Sequence, residues 1–126
     1  MILLKLNSDC VRDLLLYLEE NLNFNNMVTI NTLKLSNYSS DDLIYTSQKL
    51  IEADFIECTI SKVINSRYPI IKVKSITYNG HQFLDSIRDN SIWKDAKNKA
   101  SKLASVSLPI LQQLATSLIK SSLGLS

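Results

Sequence analysis

The order of its sequence patterns predicts an α+β protein in which helices accompany a small antiparallel sheet. Apolar residues recur at helical spacing in several separate stretches, and a residue able to cap a helix precedes each of them. Two stretches rich in β-branched residues, 55–60 and 70–76, flank a polar loop and therefore predict a hairpin. With 126 residues, 45% of them hydrophobic and 21% charged, the chain has the size and composition of a single globular domain.

The first helix is predicted to begin at Asn7 or Ser8, because either side chain can accept hydrogen bonds from the free amides of the first turn. Apolar residues at positions 11, 14, 15 and 18 then form one helical face, and the helix is expected to fade near residues 20–21. Residues 27–35 alternate apolar and polar side chains, so they predict a short strand.

The second helix has a strong start signal, because residues 39–42 place a serine cap before two carboxylates in the first turn. Positions 43, 44, 47, 50 and 51 are predicted to form its buried stripe. The opposite face carries Tyr45, Gln48, Lys49 and Glu52. Asp54 is expected near the end of this helix, where the chain often needs a residue with positive φ.

The hairpin is predicted to carry an exposed basic face. Its loop, residues 61–69, is polar and basic. In the strand that follows, positions 70, 72, 74 and 76 share one face and positions 71 and 73 the other, so the two lysines at 72 and 74 should face solvent.

Three further helices are predicted after the hairpin. Thr77 caps the first, and Gly80 in its first turn indicates close backbone packing. Asn90 or Ser91 caps the second, whose outward face is rich in lysine at positions 94, 97, 99 and 102. Ser107 caps the third, with a proline in its first turn.

The succession of helix, strand, helix, hairpin and helix predicts a winged helix-turn-helix domain with an antiparallel β-hairpin wing and two extra C-terminal helices. Residues 1–89 are expected to form the winged-helix domain. Residues 90–126 are expected to be a helical extension that packs on the same domain or forms a dimer interface.

Two segments resemble winged-helix proteins. The run Leu-Ile-Glu-Ala-Asp-Phe-Ile at 50–56 is similar to a Leu-Ile-Glu-Ala-Gly-hydrophobic run of such proteins, with Asp54 in place of glycine. Residues 76–89, Ile-Thr-Tyr-Asn-Gly-His-Gln-Phe-Leu-Asp-Ser-Ile-Arg-Asp, followed by Ile92-Trp93, resemble the signature of the YjcQ-like family, uncharacterised winged-helix proteins of Gram-positive bacteria and their prophages. The resemblance covers residues 8–124 and implies a winged-helix fold, a phage-associated context and no established enzyme activity.

Charge is divided unevenly along the chain. Residues 1–60 hold four Lys or Arg against nine Asp or Glu, a net charge of −5, whereas residues 61–126 hold ten against three, a net charge of +7. Such a division indicates a basic face for an anionic partner or complementary packing between the halves, with ordinary solvated surface as the third interpretation.

The two cysteines favour a reducing compartment, because Cys10 and Cys58 form no C-x-x-C pair and fit two small buried thiols; a disulfide between them stays open. The N-terminus lacks a basic segment before its apolar residues, and the uncharged run 103–119 contains several polar side chains. Neither a signal peptide nor a membrane span is expected, so the protein is predicted to be cytoplasmic without a membrane partner.

No catalytic constellation or cofactor site is recognised in the sequence. One His and two Cys are too few for a zinc or iron–sulfur site, and no glycine-rich phosphate-binding motif occurs. His81 is expected to pack or cap rather than act as a base. The sequence therefore predicts a protein that is not an enzyme and uses no cofactor.

One candidate function is binding to double-stranded DNA, with the second helix in the major groove and the hairpin on the backbone. The residues at positions 41 and 42 argue against this function, since two carboxylates at that helix end repel phosphate. Candidate contacts with base edges are Tyr45, Thr46, Gln48 and Lys49, and candidate contacts with phosphates are Lys62, Arg67, Lys72 and Lys74.

The other candidate function is a protein-interaction module without DNA binding. The last helix carries an apolar stripe that would form a homodimer or partner interface if it is not covered within the monomer. The alternative is that the stripe packs on the first helix of its own chain. The residues of the stripe are Leu108, Leu111, Leu114 and Leu118.

Overall fold

The computed structural model describes residues 5–35, 37–103 and 106–125. The helices and strands found there confirm the α+β class with a small antiparallel sheet. They are α1 (Ser8–Asn21), β1 (Val28–Thr29), a 3₁₀ helix (Ile30–Thr32), α2 (Ser40–Glu52), β2 (Ile56–Ser61), β3 (Ile70–Ile76), α3 (Tyr78–Ile87), α4 (Asn90–Ala100) and α5 (Leu108–Ser122). No helix among these described residues combines the length and the apolar character needed to cross a bilayer.

The chain divides into two compact units, Met1–His81 and Gln82–Ser126. The division falls inside α3, which is earlier in the chain than the predicted domain boundary after residue 89.

In the first unit β3 is the central strand and pairs antiparallel with both others, in the order β1-β3-β2. The predicted hairpin is therefore confirmed as β2 and β3. Helices α1 and α2 pack on each other, and α1 also contacts β3 while α2 contacts β2. The buried apolar side chains of this unit are Cys10, Val11, Leu14, Leu15, Leu18, Ile30, Leu43, Ile44, Leu50, Ile56, Ile71, Val73 and Ile76.

Helix α1 begins where the sequence predicts, because the side chain of Asn7 caps it. Asn7 Oδ1 accepts hydrogen bonds from the Asp9 amide at 2.9 Å and from the Cys10 amide at 3.2 Å. The predicted apolar face at positions 11, 14, 15 and 18 is buried, and the helix ends at Asn21 as expected.

Helix α2 begins with a capping box. Ser39 Oγ accepts from the Asp42 amide at 3.1 Å, and Asp42 Oδ2 accepts from the Ser39 amide at 3.0 Å. The predicted stripe is buried at positions 43, 44, 47 and 50 and half-buried at position 51. Asp54 follows the helix with φ of 60°, which confirms its predicted place in the turn.

The predicted strand over residues 27–35 is wrong for most of its length. β1 pairs with β3 only over Val28–Thr29, and the chain then enters the 3₁₀ helix. The side chain of Asn31 explains the difference, since its Nδ2 donates to the Pro69 carbonyl at 2.8 Å and its Oδ1 accepts from the Ile71 amide at 2.9 Å. These bonds satisfy backbone groups at the start of β3 without a longer β1.

β3 departs from the predicted alternation at its end. Val73 pairs with Cys58 and Ser75 with Glu57, so Lys74 is an extra residue in a β-bulge. The bulge reverses the phase of the strand: positions 71, 73 and 76 are buried and positions 72 and 74 are exposed. The exposed lysines are confirmed, whereas the prediction that position 76 shares their face is wrong.

Helix α3 packs closely against the turn after α2, as Gly80 predicted. Thr77 Oγ1 caps the helix by accepting from the Gly80 amide at 3.0 Å, and the Thr77 amide donates to the Phe55 carbonyl at 2.9 Å. A Cβ atom on residue 80 would collide with that Phe55 carbonyl oxygen and would stand 2.7 Å from Cγ2 of Ile76. Only glycine fits this contact.

In the second unit α4 and α5 pack against each other. The cap of α4 is Asp89, whose Oδ1 accepts from the Ile92 amide at 2.9 Å. The predicted caps Asn90 and Ser91 are wrong because both residues are already within the helix. The predicted start of α5 after Ser107, with a proline in the first turn, is confirmed.

We expect Gly80→Ala to lower the free energy of unfolding by about 1–3 kcal/mol, because the added methyl group meets the Phe55 carbonyl. At an open helical position the same change raises stability by about 1 kcal/mol, so the sign of the effect tests the contact. Urea unfolding followed by circular dichroism measures it. The control Gln82→Ala, at an exposed position of α3, should stay within about 0.5 kcal/mol of the parent. A stabilised Gly80→Ala variant would contradict the close approach.

Candidate nucleic-acid interface

Helix α2 and the loop between β2 and β3 form one continuous surface. A groove of about 420 Å³ lies between them, lined by Asp41, Tyr45 and Gln48 from α2 and by Arg67 and Tyr68 from the loop. A second groove of about 330 Å³ continues along the loop from Gln48 to the lysine at position 62. We define the α2–hairpin surface as Asp41, Tyr45, Gln48, Lys49, Lys62, Arg67 and Tyr68.

Asp41 holds the loop against the N-terminal turn of α2. Its Oδ2 is paired with Nη2 of Arg67 at 3.1 Å, and its Oδ1 accepts a short hydrogen bond from the Tyr68 hydroxyl. The Tyr68 hydroxyl donates this bond to Asp41, which favours its protonated form and is the main reason why the pKa of Tyr68 is raised. Loss of solvation raises that pKa further. Ser66 Oγ adds a bond to the Tyr68 carbonyl at 3.0 Å. The loop is thus attached to the helix by one carboxylate.

The same contacts neutralise much of the positive charge of this surface. Arg67 is paired with Asp41, and Lys49 Nζ lies 3.0 Å from a carboxylate oxygen of Glu52. Lys49 also lies over the Tyr45 ring, 5.4 Å from its centroid. The carboxylate at position 41 should therefore repel phosphate less than the sequence predicts, because the guanidinium of Arg67 is paired with it.

Among the predicted base-contacting residues, Tyr45, Gln48 and Lys49 lie half-buried on the outward face of α2. Thr46 is a wrong prediction. It is 2% exposed, and its hydroxyl donates to the Cys10 sulfur at 3.3 Å. Position 46 follows position 43 by three residues and precedes position 50 by four, which places it on the buried stripe.

The predicted phosphate contacts do not all lie together. Lys62 and Arg67 belong to the loop beside α2. Lys72 lies on the solvent face of the sheet, opposite Thr29 of β1 and Thr59 of β2. Lys74, at the bulge, lines a different groove.

That groove, of about 630 Å³, lies beside the C-terminal end of α1. Apolar side chains form its floor and one wall, and Lys74, Glu19 and His81 are on its polar rim. His81 is exposed, so the expectation that it packs or caps is wrong. The apolar residues are Leu18, Leu22, Phe24, Met27 and Ile76. Sequence reasoning missed this groove, although apolar residues within the asparagine-rich run 21–26 were a signal for it.

The predicted interface on α5 is partly covered within its own unit. Leu111 and Ala115 are buried at 3% and 0% exposure, Leu108, Leu114 and Leu118 are half-buried, and α5 packs against α4.

Both thiols are free, as the favoured interpretation of the sequence expected, and no disulfide joins these two described residues. Cys10 is buried, and loss of solvation raises its pKa. Cys58 is half-buried, and loss of solvation, helped by the charge of Glu57, raises its pKa to about 11. In residues 5–35, 37–103 and 106–125 no three His, Cys, Asp or Glu side chains converge as metal ligands.

The chain belongs to a protein family described as "Hypothetical protein (DUF2513)", whose model matches residues 5–107. An uncharacterised protein of Haemophilus influenzae (strain ATCC 51907 / DSM 11121 / KW20 / Rd) is 27% identical over 122 residues, which cover 96% of this chain and all of that protein. No solved structure matches the chain. Membership of an uncharacterised family is confirmed, but the matched family is not the YjcQ-like one, and neither comparison supports a Gram-positive or prophage origin.

We expect Leu111→Asp to unfold the α4–α5 pair, because it places an unpaired carboxylate at a 3% exposed position. The free energy of unfolding should fall by more than about 3 kcal/mol. Circular dichroism and amide NMR spectra report the loss of helix. Gln113→Asp, at an exposed position of the same helix, is the control and should leave the spectra unchanged. A folded, monomeric Leu111→Asp protein would instead place the residue at an interface between chains.

We expect alkylation of Cys58 by iodoacetamide to keep accelerating up to about pH 11, because the thiolate is the reactive form and the pKa is about 11. At pH 8 only about one Cys58 thiol in a thousand should be ionised. Mass spectrometry of the Cys58 peptide after short exposures gives the rate at each pH. In urea the rate for the same peptide should be half-maximal near pH 9, and an equally low midpoint in the folded protein would disprove the shift.

Proposed function

We propose that this protein is a winged-helix, DNA-binding module that contacts duplex DNA through the α2–hairpin surface. The element order of helix, short strand, helix and hairpin, with the sheet order β1-β3-β2, supports a winged helix. The observation that carries the proposal is the attachment of the loop to α2 through Asp41, which makes helix and hairpin one preorganised surface. Fold alone does not determine function, so a direct measurement of DNA binding tests the proposal.

In this proposal α2 supplies the base contacts and the hairpin supplies the phosphate contacts. Gln48 lies in both grooves, and its amide can donate to and accept from an adenine edge. Lys62 of that surface and Lys72 on the solvent face of β3, within the same hairpin, are exposed and have no ion pair among the described residues, so each can neutralise a phosphate. Arg67 reaches phosphate only by leaving or sharing Asp41.

The small number of unpaired cations in the hairpin determines how strongly the protein is expected to bind DNA. Each phosphate neutralised by a Lys or Arg contributes about −0.9 to the slope of log K against log salt. Two or three such contacts give a slope of about −2 to −3, which corresponds to weak and moderately salt-dependent binding. A phage or prophage context, implied by the sequence resemblance, stays a prediction.

We expect the double variant Lys62→Ala, Lys72→Ala to lower the magnitude of the salt slope by about 2. Fluorescence anisotropy with a labelled mixed-sequence duplex, between about 50 and 200 mM salt, measures the slope. The control double variant Lys99→Ala, Lys120→Ala removes the same two charges from exposed positions of α4 and α5 and should leave the slope unchanged. Absence of binding by the parent at about 100 µM, or an unchanged slope in the double variant, would refute the proposal.

The second candidate, a protein-interaction module without DNA binding, is favoured by a separate observation. Two of the three cations of the α2–hairpin surface, Lys49 and Arg67, are paired with carboxylates, whereas the groove beside α1 is apolar and open. A protein that fails to bind duplex DNA at low salt but associates through this groove would belong to that class.

A further inference from the structure

The groove beside the C-terminal end of α1 is bordered by a fully exposed phenylalanine. The floor contains Leu18 and Ile76, which belong to the core, and the open side is formed by Leu22, Met27 and Phe24. Met27 is 51% exposed and Phe24 has no cover at all. Burying a side chain of this size contributes about 1.5–3 kcal/mol, so leaving it in water forgoes a large stabilisation.

Phe24 is held in place by a tight turn rather than by a loose loop. The Asn25 amide donates to Asn23 Oδ1 at 2.8 Å, and the Asn26 amide donates to the Asn23 carbonyl at 3.2 Å. Phe24 occupies the second position of this turn, where its side chain points away from the chain's own core. A rigid turn loses little conformational entropy when its aromatic side chain is buried by a partner.

We propose that this groove is a self-association site, in which Phe24 of one copy inserts into the groove of a second copy around a two-fold axis. An isologous interface requires that one patch carry both the protruding and the receiving element. Here Phe24 borders the groove that would receive its counterpart. The protruding side chain of Phe24 (the knob) and the receiving groove (the hole) therefore lie on the same patch, which is the arrangement that a closed two-fold dimer requires.

The charges on the rim are compatible with a second copy. The rim carries Glu19 on α1 and Lys74 on β3, so a two-fold axis between them sets residues of opposite sign across the interface. The turn itself is uncharged, because residues 21–26 are Asn-Leu-Asn-Phe-Asn-Asn. Two copies can therefore approach without like charges meeting at the centre.

The proposed site is independent of DNA binding. It uses α1, the turn after it and the end of β3, and none of its residues belongs to the α2–hairpin surface. Its test needs no DNA, so failure of either proposal leaves the other unaffected.

Sedimentation equilibrium of the full chain, from about 1 to 200 µM, measures the association. The expected result is a mass that rises with concentration from 14.2 kDa toward twice that value. Phe24→Ser should raise the dimer dissociation constant at least about tenfold. The fold should be unchanged, because the side chain makes no buried contact. The matched control is Ile64→Ser, at a position 89% exposed on the hairpin loop, which should still dimerise.

A complementation experiment tests the knob and the hole separately. Ser75 is exposed and lines the groove, so Ser75→Trp blocks the hole while Phe24 remains. Each variant alone should dimerise at least about tenfold more weakly than the parent. Mixed together they should form a heterodimer more tightly than either variant pairs with itself, since the Phe24→Ser chain keeps the unblocked floor at Leu18 and Ile76 and the Ser75→Trp chain keeps its phenylalanine.

Three results would overturn the proposal. The first is a parent protein that stays monomeric at the highest concentration. The second is a dimer that survives Phe24→Ser, which would place the interface elsewhere. The third is equal loss of dimer in Phe24→Ser and Ile64→Ser, which would indicate nonspecific association of exposed apolar residues. In the first case, uptake of an apolar peptide by the groove would assign the groove to a different occupant.

Discussion

The two hydrogen bonds of the Asn31 side chain determine where the sheet of the first unit ends and where the hairpin begins. The amide binds the Pro69 carbonyl and the Ile71 amide, so it acts in the place of a backbone ladder pair. Each such bond contributes about 1 kcal/mol, and leaving either backbone group unpaired in this part-buried place would cost more. The chain is thereby free to leave the sheet after residue 29 and to bury Ile30 in the core.

Because Pro69 is held by Asn31, the residues just before it are brought within reach of Asp41. An exposed ion pair such as Arg67 with Asp41 contributes at most about 1 kcal/mol to stability. Its structural effect is nevertheless large, since it decides that the loop lies beside α2. The electrostatic consequence is that the arginine best suited to phosphate is already occupied, and binding of an anion then depends on lysines outside that pair.

The two surfaces of the first unit differ in the physics of recognition they allow. The α2–hairpin surface is polar and preorganised, and two of its three cations are paired with carboxylates, which suits contacts that depend on hydrogen-bond geometry more than on net charge. The groove beside α1 is apolar, and its exposed phenylalanine gains free energy mainly by leaving water. The local sequence indicated the α2–hairpin surface, since a helix cap and basic hairpin residues can be recognised from short stretches of sequence. The second depends on residues from α1, its following turn, β3 and α3 meeting in space.

By itself the sequence determined most of the helix starts, the hairpin and the buried stripe of α2, because capping, turn preference and periodicity act between residues a few positions apart. Asn7, Ser39 and Thr77 all cap as their chemistry requires. Only the tertiary structure decided the remainder. The early end of β1 depends on a bond between Asn31 and a residue forty positions away. The inward turn of Ile76 depends on a bulge against β2, and the burial of Thr46 depends on α1 covering it. Contacts of this kind leave no trace at short sequence separation, and they are the ones that shape both surfaces.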